Sequence, residues 1–198
     1  MDLIHTANQP IGPFYHFALT PGWSTGDSSA GVMAGPDTRG ERARLTVRVL
    51  DLDGNPVTNA MIELWQADAN GKYDHPADTQ GKTADPAFRG FGRLATDDQG
   101  SCVFETVKPG PVPSMLPGRK GSMQAPHINV SIYAPGLLRR AVTRIYFDGD
   151  PANLPDEILG LVPEDRRPTL LARPGGKPGE WCFDLHLTGP CETVFFDI

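Results

Sequence analysis

His127 and Asn129 lie two residues apart in the stretch QAPHINVSIY, Gln124 to Tyr133. A strand here has a side-chain period of two, so His127, Asn129, Ser131 and Tyr133 share one face while Ile128, Val130 and Ile132 bury the other. An imidazole projected beside a second polar group is half of a metal site. The other half has to come from elsewhere in the chain. Two long polar segments, Tyr73 to Gly90 and Lys108 to Ala125, lead into and away from the strands near Tyr73 and His127. Chemistry in strand-built domains collects on such loops, so these two residues are expected to share a site.

The elements that must position them read as strands. RLTVRVLD (Arg44 to Asp51) alternates Leu45, Val47 and Val49 with Thr46 and Arg48, and Asp53 with Gly54 supplies a turn. Further strands are predicted over Met61 to Ala67, Gly92 to Ala95, Ser101 to Val107, Ala141 to Phe147, Trp181 to Leu187 and Thr193 to Asp197. The predicted helices are short: Asp156 to Leu161 and Glu164 to Ala172, with Asp156 and Pro163 as starting signals. The fold class that follows is all-β, an antiparallel β-sandwich with long loops and one or two short helices. Residues 1–40 read as an extended N-terminal arm and residues 41–198 as a single sandwich domain.

Composition narrows the function. In 198 residues, 22 Gly and 20 Pro suit a turn-rich β protein better than a helical one. The net charge of −6 comes from interspersed acids and bases with no basic run, which argues against a nucleic-acid partner. Cys102, Cys182 and Cys191 are an odd set without C-x-x-C spacing, so neither a disulfide framework nor a structural zinc site is expected, and core packing is their expected role. There is no basic leader followed by an apolar core and no apolar run of membrane-spanning length, so a cytoplasmic protein without a membrane partner is expected.

Several longer motifs then point to a family. WQADANGKY (Trp65 to Tyr73), FGR (Phe91 to Arg93), DDQG (Asp97 to Gly100), VKPGPVP (Val107 to Pro113), APHINVSIYAPG (Ala125 to Gly136) and RIYFDGDP (Arg144 to Pro151) occur in the order seen in intradiol aromatic-ring dioxygenases. The chain resembles that family over nearly its whole length, including the GPFYHF arm and the ETVFFDI ending. It is most similar to the branch built from two related chains. There, the resemblance implies, a beta chain holds a mononuclear Fe(III) through two tyrosines and two histidines, and the enzyme opens protocatechuate with O2 to 3-carboxy-cis,cis-muconate in aromatic degradation. Tyrosinate is a hard anionic donor suited to a hard ferric ion.

Carried over residue by residue, that pattern survives only in part. Tyr73 matches the first tyrosine and His127 the first histidine, but Val112 stands at the second tyrosine and Asn129 at the second histidine. Gln124 replaces the Arg usual three residues before the first histidine, and Arg144 replaces a usual Gln. The expectation is that this chain holds no iron and has no catalytic residues of its own, with Fe(III) on the beta partner. Tyr73 and His127 are then expected to hydrogen-bond inside a filled polar pocket with Asn129 and Arg144, weak metal binding by the first two being the alternative. The resemblance also places Gly12, Pro13 and Phe14, with Tyr15 beside them, as a wall of the partner's substrate pocket, comparable chains often carrying Tyr where Phe14 stands. Read from the residues alone, the same aromatics either reach a partner or pin the arm to its own core.

The subunit expectation is therefore a higher oligomer of alpha-beta units, inactive as a lone chain. Two rivals stand beside it. VRVLDLDGNPVTNAMIELWQAD also resembles segments of non-enzymatic transthyretin-like sandwiches, which would make the chain a binding module. A homomeric catechol dioxygenase is the other, and Val112 and Asn129 oppose it.

Overall fold

The computed structural model describes residues 12, 14–20, 22, 25–114, 116, 118 and 121–197. The described residues form ten strands: β1 (Arg42–Leu50), β2 (Met61–Trp65), β3 (Phe91–Ala95), β4 (Ser101–Val107), β5 (Val112–Pro113), β6 (Met123–Gln124), β7 (His127–Tyr133), β8 (Ala141–Phe147), β9 (Leu171–Pro174) and β10 (Glu180–His186). Eight of them hydrogen-bond in the order β3-β2-β7-β8-β9-β10-β1-β4, and β5 pairs with β6 as a small separate ribbon.

The eight-stranded ladder closes over itself as a sandwich because β9 is shared by two layers. Its Leu171 and Ala172 pair in parallel with Tyr146 and Phe147 of β8, and its Arg173 and Pro174 pair antiparallel with Cys182 and Trp181 of β10. β1 and β2, joined by the turn at Asp53 and Gly54, accordingly lie in opposite layers. Alternation decides what faces inward. Leu45, Val47 and Val49 of β1, Phe104 of β4 and Phe183 and Leu185 of β10 meet Ile62 and Leu64 of β2, Ile128, Val130 and Ile132 of β7, and Ile145 and Phe147 of β8 in one apolar core. Met33, from the segment read as an arm, is buried in the same core.

The all-β sandwich expected from the sequence is the fold observed, with some elements differing in detail. Most pairings are antiparallel, but β1 with β10 and β8 with β9 are parallel. The segment Glu164–Leu170 is a 3-10 helix, and the residues after it become β9. Pro168 has no amide hydrogen to extend an α-helix, and Leu171 and Ala172 gain ladder partners on β8 instead. The expected strand Thr193 to Asp197 does not form. Its extended backbone makes isolated bonds, Thr193 N to His186 O at 3.0 Å and Phe196 N to Val142 O at 2.8 Å. Within the arm, Tyr15–Leu19 turns into the short helix α1. Helix α2 (Glu157–Leu161) starts where expected, with Asp156 accepting from the amides of Ile158 and Leu159.

All three cysteines are free, but only Cys102 is buried, so core packing describes one of them; Cys182 and Cys191 are exposed. No helix of the described residues is long and apolar enough to cross a membrane.

Phe183 is 1% exposed and fills the space between the layers. Replacing it with Ala should cost about 3–5 kcal/mol, read as a lowered midpoint in denaturant unfolding with an unchanged slope. A loss under about 1 kcal/mol would place Phe183 outside the load shared by both sheets.

Candidate functional site

β2, β7 and β8 present a second face, away from the core, that carries polar side chains. Register sets the neighbours: Trp65 pairs with Asn129 and Asn129 with Arg144 in one row, and His127 pairs with Tyr146 in the next. Both long loops fold over this face and border an open cavity of about 410 Å³. Tyr73, Val112, Gln124, His127, Asn129 and Arg144 all line it. These are the six positions singled out in the sequence, and they come from one loop, the β5–β6 ribbon and two strands.

Backbone geometry in the loops makes this meeting possible. Asp68 is buried, and its carboxylate accepts from the amides of Asn70, Lys72 and Asp85, each at 2.9 Å. Its carbonyl accepts from Gly71 N at 3.0 Å and Gly110 N at 2.9 Å, tying the first loop to the second. Gly71 has φ +72°, and a Cβ there would sit 1.9 Å from the carbonyl oxygen of Pro111, so only glycine permits this contact. Tyr73 follows directly. Its amide donates to Asp78 Oδ2 at 2.9 Å and its ring stacks on Trp65 with centroids 5.7 Å apart.

The polar groups are already engaged with one another. Asn129 Nδ2 donates to the Tyr73 hydroxyl at 3.2 Å and to the Trp65 carbonyl at 3.3 Å, which leaves only its own carbonyl oxygen for other partners. His127 Nδ1 donates to Ala125 O at 2.8 Å, so Nε2 is the unprotonated nitrogen. Arg144 donates to Gln124 Oε1 at 2.8 Å and reaches the Tyr146 hydroxyl at 3.4 Å. Tyr146 in turn donates to Asp156 Oδ1 at 3.2 Å, and Asp156 Oδ2 accepts from Ala125 N at 2.7 Å. Asp156 thus caps α2 and anchors the approach to β7 together.

Burial keeps Tyr73, His127 and Tyr146 neutral, while hydrogen bonds keep Asp78 ionised. Burial holds the Tyr73 phenol above its ordinary value of 10.0, outweighing the Asn129 hydrogen bond and the Arg144 charge that act the other way. Burial, followed by the Arg144 charge, pushes His127 down from 6.5 to about 4. Burial likewise raises Tyr146. At Asp78 burial is the largest single effect and acts upward, but hydrogen bonds from the Gln80 and Tyr73 amides and from Lys72 outweigh it and hold the carboxyl at about 2.

This donor set does not fit a ferric ion. One phenol and one imidazole remain, Val112 offers no donor atom, and Asn129 offers at most a neutral amide oxygen. The Arg144 guanidinium lies on the same wall and opposes any added cation. Among the described residues no group of three His, Cys, Asp or Glu side chains is placed to hold a metal. Nor is the pocket filled, as the sequence led us to expect; the small Val112 and Asn129 side chains and the Arg144–Gln124 pairing leave an open cavity.

The arm residues stand apart from this cavity. Gly12 is exposed, with open space where a Cβ would be; Phe14 is 71% exposed; Tyr15 is buried; and Pro13 lies outside the described residues. The sequence reading missed Trp65, His75, Asp78 and Pro113 as cavity walls. Trp65 alone had a signal, since it falls on the polar phase of the β2 alternation.

A family profile described as Dioxygenase matches residues 12–187. The chain belongs to the intradiol dioxygenase family. It is 39% identical to the protocatechuate 3,4-dioxygenase alpha chain of Burkholderia cepacia, over 99% of this chain and 98% of that one. It is 38% identical to the alpha chain of Pseudomonas putida, over 98% and 97%. The Burkholderia cepacia beta chain is 40% identical over 68% of this chain and 56% of its own length. Among solved structures, the dioxygenase domain of a dioxygenase–carbohydrate-binding protein fusion from Streptomyces sp. SirexAA-E superposes with TM-score 0.58 at 28% identity, covering 80% of this chain and 87% of that domain. Non-haem iron chemistry is a property of this dioxygenase family, and the cavity described above lacks the donors for it.

Because His127 is held neutral in the fold, it binds fewer protons folded than unfolded between pH 6.5 and about 4. Stability should therefore fall as pH drops through that window, by up to about 3 kcal/mol from this group, with the penalty absent above pH 6.5. Denaturant midpoints of the wild type and His127→Gln, compared at pH 7 and pH 5, check this. The wild type should lose more, by about 2 kcal/mol at pH 5. Parallel pH profiles would remove His127 from the account.

Proposed function

We propose that this chain is the alpha subunit of a protocatechuate 3,4-dioxygenase, contributing assembly surface and a pocket wall to an iron-bearing beta chain while holding no catalytic iron itself. The observation that carries the reading is the combination of an end-to-end likeness to two alpha chains with a cavity whose ligand positions hold Val112 and Asn129. A fold of this kind tolerates the loss of a site when its surface stays useful. In the assembled enzyme the reaction is the opening of protocatechuate by O2 to 3-carboxy-cis,cis-muconate, with Fe(III) on the beta chain. The working form is a cytoplasmic higher oligomer of alpha-beta units, built from an arm over residues 1–40 and a single sandwich domain over 41–198.

The arm is assigned the pocket-wall role through Gly12, Pro13, Phe14 and Tyr15. A phenyl ring 71% exposed on one chain is a group that gains from being covered, and α1 holds it just beyond the open backbone at Gly12. Phe14 would pack beside a planar substrate, while the buried Tyr15 fixes the turn to its own chain.

Co-expression with a beta chain tests the subunit reading. Ring-opening activity should appear only with the partner; activity of the lone chain would make it a homomeric dioxygenase, and no ring opening with any partner would make it a binding module. Within the active assembly, Phe14→Ala should lower kcat/KM about tenfold with iron content unchanged. Normal turnover by an assembled Phe14→Ala enzyme would remove the arm from the pocket.

A further inference from the structure

We propose that the cavity over β7 and β8 binds a single-ring aromatic carboxylate, with the carboxylate on Arg144 and the ring against the apolar wall of Trp65, Val112 and Pro113. The inference goes beyond the subunit reading, because it concerns a ligand of this chain's own cavity and stands whether or not a beta chain is the partner.

Charge is the first argument. Arg144 uses one terminal nitrogen on neutral acceptors, Gln124 Oε1 and the Tyr146 hydroxyl. Among the described residues its remaining guanidinium donors have no acceptor and no carboxylate pairs with it. The nearby acids are already committed. Asp78 is neutralised by Lys72 at 3.0 Å and accepts from the Tyr73 and Gln80 amides. Asp156 divides its two oxygens among Ala125 N, Ile158 N, Leu159 N and the Tyr146 hydroxyl. Arg144 is thus the one uncompensated charge on the cavity wall among the described residues. A guanidinium with a free pair of donors matches a carboxylate in two parallel hydrogen bonds.

Shape and chemistry of the walls supply the rest. A volume of about 410 Å³ suits one ring with ordered water, at the small end of ligand pockets. Trp65 is braced by Tyr73 stacked at 5.7 Å and by His75 edge-on at 6.2 Å, a rigid aromatic surface for a planar ligand. Val112 leaves apolar space where a donor group would crowd the ring. His127 Nε2, buried and unprotonated, adds one acceptor at the floor for a ring hydroxyl or a water. Selection here runs opposite to that of an iron site. It favours the carboxylate and has no feature that needs two adjacent hydroxyls.

Calorimetric titration of the full-length chain, or of the co-purified assembly, with benzoate, acetate and catechol gives the test. Benzoate should bind saturably with a dissociation constant of about 1 mM or below. Acetate, with the charge but no ring, and catechol, with the ring but no charge, should bind this cavity about tenfold more weakly or worse, and Arg144→Gln should weaken benzoate about tenfold. Crystals soaked with 4-bromobenzoate should place the bromine anomalous peak in this cavity, with the carboxylate on Arg144, which separates it from any site on a partner. Catechol binding the lone chain as tightly as benzoate, unchanged benzoate affinity in Arg144→Gln, or bromine found only outside the cavity would each overturn the proposal.

Discussion

The buried carboxylate of Asp68 is the constraint on which the rest of the site depends. A carboxyl group buried away from water is costly unless its oxygens are hydrogen-bonded. Here three backbone amides provide those hydrogen bonds, and in doing so they fix the conformation of the turn that carries Tyr73. The same residue's carbonyl takes two more amides, one of them from Gly110 on the second long loop. The two loops are therefore bound to each other before either reaches the sheet. Gly71, with its left-handed backbone against Pro111, makes the contact close enough to matter. Tyr73 and Val112 arrive over His127 and Asn129 as a consequence.

Below this clamp, one strand serves two purposes. The inner face of β7 contributes Ile128, Val130 and Ile132 to the core shared with the opposite layer, and its outer face contributes His127 and Asn129 to the cavity. The inner face is set by packing and needs no site to keep it. The outer face carries polar pairs instead: Asn129 to Tyr73, Arg144 to Gln124, Tyr146 to Asp156. A guanidinium among those pairs replaces what an iron site would require with its electrostatic opposite. Fold and site are separable here because they lie on opposite faces of the same strand.

Much of this was legible in the sequence, and what was not has physical reasons. The alternation in β1, β4, β7 and β8 identified the strands because each has one face in the core. Asp156 was legible as a helix start because capping is local. β9 was not: four residues after a 3-10 helix carry no periodic signal, and their strand character comes from partners on β8 and β10. The reverse holds for Thr193 to Asp197, where the pattern suits a strand but no continuous ladder forms. At the site, residue types at Val112, Asn129 and Arg144 announced the loss of donors. The open volume and the roles of His75 and Asp78 depend on how two loops fold onto a sheet, which no local pattern encodes.

The central claim is that this chain keeps the dioxygenase fold while its own cavity holds no catalytic iron. Iron quantification with a visible absorption spectrum, on the full-length chain purified alone and exposed to ferric iron before desalting, tests it most directly. The account predicts substoichiometric iron and no tyrosinate-to-iron charge-transfer band, because Val112 and Asn129 supply no anionic or imidazole donor and Arg144 opposes the cation. One iron per chain with that band would contradict it.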